Sequence, residues 1–69
     1  MNDKYYLIKL SEEEKFKFGG LDYIITFSYK GLEEDINRFG NTTILITPSK
    51  ELAISTLGAL SEQLREQGN

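Results

Sequence analysis

Apolar and polar positions alternate first over residues 4–10, KYYLIKL, where Tyr6, Ile8 and Leu10 share one face of a strand and Tyr5 and Leu7 the other. Aromatic and β-branched residues favour that conformation. Both faces are partly apolar, which fits an interior strand or one whose second face meets another surface. Residues 11–14, SEEE, read as a polar turn, although Ser11 followed by Glu14 also matches a capping box able to open one helical turn.

Alternation resumes over 15–31, KFKFGGLDYIITFSYKG, and breaks once, at Gly19 and Gly20. Adjacent glycines supply the two positive φ angles of a type I′ turn. A hairpin turning there pairs Phe18 with Leu21, Lys17 with Asp22 and Phe16 with Tyr23, so that aromatics stack on one face and opposite charges meet on the other. Leu21, Tyr23, Ile25, Phe27 and Tyr29 continue the apolar face, and Ile24 is the exception on the reverse. A phosphate loop is a poor alternative. Such a loop continues into Lys and then Ser or Thr, and a dinucleotide fingerprint leads into a helix, whereas Leu21 and Asp22 lead into a strand.

Residues 31–41, GLEEDINRFGN, place Leu32, Ile36 and Phe39 at helical spacing, with acids first and a glycine last; they suit a short helix or an acidic connection. TTILITP, 42–48, reads as a strand ended by Pro48. From 49 to about 66, Leu52, Ala53, Leu57, Leu60 and Leu64 form the stripe of an amphipathic helix, capped by Thr47 or Ser49 and weakened at Gly58. The terminal residues 67–69 should fray. These elements predict a single α+β domain over 1–69, a small antiparallel sheet of about four strands with the C-terminal helix packed on one face. The core it implies contains Ile8, Leu10, Phe16, Phe18, Tyr23, Ile25, Phe27, Ile44, Ile46, Leu52, Leu57, Leu60 and Leu64.

Size changes the picture. With 69 residues the chain is in the range where one core supplies roughly 3 to 5 kcal/mol and small domains commonly add disulfides, a metal or a partner subunit. Cysteine and histidine are both absent, which removes disulfides and thiolate or imidazole metal sites and leaves local geometry or association with another chain. Apolar runs fall far short of the roughly 20 residues needed to cross a bilayer, and the N-terminus lacks the pattern of a signal peptide. The chain therefore reads as soluble and cytoplasmic, without a membrane partner.

A net charge of −3 and a pI near 4.8 oppose the counterion release that dominates nucleic-acid affinity. Lys4, Lys9, Lys15, Lys17 and Lys30 make a small nucleic-acid-associated regulator the alternative rather than the leading expectation. Catalysis is not expected: no histidine or cysteine is present, and Ser49 and Lys50 are neighbours that do not face each other on a helix. DINRFG matches calcium-loop positions at Asp35, Asn37 and Gly40 but places Phe39 and Ile46 where further ligands belong, so no metal or other cofactor is expected. What remains is a small non-catalytic protein-interaction module, an adaptor or inhibitor of another protein or a self-associating homodimer, of a size that suits a bacterial or phage accessory protein. Tyr5, Leu7, Ile24 and Ile54 are the candidate partner-binding residues, as apolar side chains that one helix on one face leaves uncovered.

Overall fold

Strand β1 (Tyr5–Lys9) lies at the centre of a three-stranded sheet in the computed structural model, which describes residues 4–67. It pairs antiparallel with β2 (Tyr23–Phe27) on one side and with β3 (Thr42–Thr47) on the other, giving the order β2-β1-β3. Helix α1 (Glu12–Lys17) joins β1 to β2, α2 (Leu32–Arg38) joins β2 to β3, and α3 (Lys50–Gln67) follows. The α+β architecture with a C-terminal helix on the sheet is the expected one. Three strands stand where about four were expected; of residues 67–69, expected to fray, Gln67 ends α3, and 68 and 69 lie outside the described residues.

The missing strand is residues 15–18, which belong to α1 and its C-terminal cap. Ser11 settles the competition. Its hydroxyl accepts the Glu14 amide at 3.3 Å, three glutamates occupy the first turn, and both effects favour helix locally before any strand partner is met. Gly19 and Gly20 do take positive φ, 71° and 87°, but as the exit of a helix: the Gly20 amide donates to the Lys15 carbonyl at 2.7 Å, the long bond of a Schellman cap. Lys15 then bridges to Asp22 at 2.7 Å and ties α1 to the start of β2. Phe16, placed in the core by the hairpin reading, is 91% exposed, and Phe18 is also exposed.

Of the two readings of residues 31–41, a short helix or an acidic connection, the helix forms, as α2 with its caps. It ends in a second Schellman cap, with the Asn41 amide on the Ile36 carbonyl at 2.9 Å and the Gly40 amide on Asn37 at 3.1 Å. Leu32 and Ile36 pack on Ile8 and Leu10, flanked by Tyr6 and Ile24. Leu7 points to the opposite face by the strand's alternation and is 0% exposed; α3, which packs across all three strands, closes that face, with Ala53 wholly buried. The sheet is therefore covered on both sides.

Helix cover is nonetheless incomplete. An 18-residue helix is about 27 Å long, whereas strands of five or six residues run about 17 to 20 Å, so α3 overhangs the sheet in a molecule of 42 × 26 × 15 Å. Phe27, Ile44, Ile46, Leu52 and Leu64, all expected in the core, are exposed, while Tyr23, Ile25, Leu57 and Leu60 are half-buried. Ile8 and Leu10 are buried as expected, and Leu32, Ile36 and Ala53 join them.

Candidate interaction surface

The four residues singled out from sequence do not form one surface. Leu7 is enclosed beneath α3, and Tyr5, half-buried on the same face, packs its ring edge-on against Phe27 at 5.1 Å. Ile24 pairs with Ile8 and therefore faces α2, on the other side of the sheet. Ile54 is exposed on α3, as expected. The physical reason is a second layer: one helix was expected on the Ile8 and Leu10 face, whereas α2 covers that face and α3 covers the Tyr5 and Leu7 face expected to be open.

Exposed apolar side chains instead concentrate elsewhere. Four of the six residues of β3 are exposed, Thr42, Thr43, Ile44 and Ile46, against one of five in β2, which makes β3 the barer of the two sheet edges. Ile46 pairs with Tyr6 and so lies on the α2 side; Ile44 sits at a bulge where the register with β1 shifts. They are 44% and 42% exposed. On the other side, Leu57, Ser61 and Arg65 of α3 line a cleft of about 710 Å³ against β2, with Leu21 and Ile25. Leu52, nine residues before Ser61, is roughly two and a half turns away and so faces the opposite flank, towards β3, where it is 49% exposed.

Two lysines of α1 are engaged with acids. Lys17 reaches Glu14 at 3.4 Å and lies 5.6 Å from the centre of the Phe39 ring, and Lys15 is held by Asp22, which raises its pKa above the ordinary lysine range. Two of the lysines needed for a nucleic-acid surface are thus paired with acids. Tyr29 donates its hydroxyl to Asp35 at 3.0 Å, and that bond, with partial desolvation and the carboxylate's charge, raises the phenol pKa. Tyr6 donates to Glu33 at 3.2 Å; desolvation first, then Glu33, raises its pKa as well.

A groove of about 460 Å³ between α1, α2 and the sheet is lined by Phe18, Phe39, Ile24, Glu14 and Asp35. Among the described residues, no group of three or more His, Cys, Asp or Glu side chains is placed to hold a metal ion, and no helix is long and apolar enough to cross a membrane. Sequence reading missed the β3 edge as a site, yet its signal was available: residues 39–49 form the longest run without a charge in the chain. Comparison with known proteins finds no matching family model, no matching curated protein and no matching solved structure.

Proposed function

We propose that this chain is a non-catalytic protein-interaction module, an adaptor or inhibitor that works by presenting an apolar surface to another polypeptide. The observation that carries the reading is the exposed β3 edge, with Ile44 and Ile46 beside a row of backbone groups that bond nothing on their outer side among the described residues. Strand addition to such an edge supplies main-chain hydrogen bonds for affinity and alternate side chains for selectivity. Six apolar residues are buried among the described residues, a small core, and domains of this size commonly gain stability from a partner.

Capture of the tagged chain's partners from the cell extract in which it is native tests this, with Ile46→Lys alongside. The proposal expects one polypeptide in stoichiometric amount with the unmodified chain and its loss with the variant, while circular dichroism shows both folded. Equal recovery with both forms, or recovery with neither, overturns it. Substituting Tyr5 or Leu7 is not a test, because both lie beneath α3 and their loss unsettles the fold.

A further inference from the structure

We infer that the polypeptide which pairs with β3 is β3 of a second copy, joining two three-stranded sheets into one six-stranded sheet of order β2-β1-β3-β3-β1-β2. This rests on the interaction-module reading and names its partner. In an antiparallel strand every second residue directs its N–H and C=O to the same side, so alternate residues of β3 present theirs away from β1. Natural edges are usually blunted by charge, proline, bulges or cover. β3 has no charged residue, its proline stands after the strand, and the bulge at Ile44 is its one such device.

The edge is also complementary to itself. A two-fold axis normal to the sheet keeps α3 of both copies on one face and α2 of both on the other, which requires opposed residues to be separated by an even number in sequence. An axis at Leu45 satisfies this. It opposes Leu45 to Leu45 and Ile44 to Ile46, so each exposed isoleucine of β3 meets an isoleucine. Such cross-strand pairs stabilise a sheet. No like charges meet across the ladder, because the nearest charged residues, Arg38 and Lys50, lie beyond it at either end. The bulge at Ile44 turns Thr43, paired with Ile8, to the α2 side while Thr47, paired with Tyr5, is on the α3 side, and Pro48, opposite Thr42, lacks an N–H, so the regular ladder is limited to residues 44–46. On the α3 face, Leu52 is turned towards the same edge and adds apolar area to the contact.

The chain contains no cysteine, so a single introduced thiol reports on the axis. Opposed residues of an antiparallel pair have Cα atoms about 4.5 to 5.5 Å apart, within the range that a disulfide spans. The purified Leu45→Cys chain is expected to oxidise largely to a covalent dimer, with Phe16→Cys, on the exposed face of α1, remaining largely monomeric under the same conditions. Charge variants give an independent reading through their elution by gel filtration. Ile44→Lys/Ile46→Lys opposes lysine to lysine and is expected to run as a folded monomer; Ile44→Lys/Ile46→Glu opposes lysine to glutamate and is expected to keep the dimer.

Cross-linking of Leu45→Cys no greater than that of Phe16→Cys overturns the proposal, as does a folded Ile44→Lys/Ile46→Lys chain that remains dimeric. Should Leu45→Cys not fold, the charge pair decides alone. These measurements use the purified chain, so their failure removes the second copy as partner while capture from extract still decides the broader reading.

Discussion

Ser11 ties two helices of this molecule together. Its hydroxyl caps α1 by accepting the Glu14 amide, and donates to the Phe39 carbonyl at 2.9 Å, while its own amide donates to Asn41 Oδ1 at 2.8 Å. The start of α1 and the end of α2 are thereby joined. Ser11→Ala should lower stability by about 1 to 2 kcal/mol, the upper part of the range for a lost cap, read as a lower urea midpoint with an unchanged slope. A midpoint equal to that of the parent chain would show that the cap is dispensable. At Tyr29 the folded phenol is held neutral by Asp35. Because its pKa is raised by folding, its contribution is fully present below about pH 10 and is lost as pH rises through the elevated value. Asp35→Ala should shift the phenolate absorbance titration of Tyr29 downwards; an unmoved curve would remove the hydrogen bond from the account.

Elements differ in how openly the sequence announces them. β3 and α3 were legible for different reasons: β3 is a run of threonines and isoleucines ended by Pro48, and in α3 Ala53, Leu57, Leu60 and Leu64 recur at helical spacing. α1 was not, because six residues are too few for periodicity to decide, and Phe16-Lys17-Phe18 alternates as a strand does. The cap at Ser11 carried the correct signal and was outweighed by a well-formed but unused hairpin pattern. The glycines test this assignment with opposite signs. Gly20 has φ of 87° at the exit of α1, so Gly20→Ala should destabilise by about 1 to 2 kcal/mol. Gly58 lies within α3 with open space where a Cβ would go, so Gly58→Ala should stabilise by about 1 kcal/mol. Thermal melts of the two variants should move in opposite directions, and a shared direction would contradict the helix assignments.

At the scale of the whole molecule, the fold class was readable and the layering was not. Two apolar faces on β1 implied an interior strand, which it is, but the second cover, α2, was one of two readings of a short acidic segment. Without it, Leu7 and Tyr5 were assigned to a binding face, whereas they hold α3 to the sheet. Among the apolar side chains that remain in solvent, Ile44 and Ile46 lie on the bare edge of the sheet and Leu52 beside it. In the dimer proposed above, the three strands with their bare, uncharged edge make half of a larger sheet that a second copy completes. Sedimentation equilibrium of the unmodified chain over a wide concentration range tests that claim most directly. The account predicts a mass rising from the single-chain 7.9 kDa and levelling at twice that value. A mass that stays at one chain throughout, in a protein that remains folded, would contradict it.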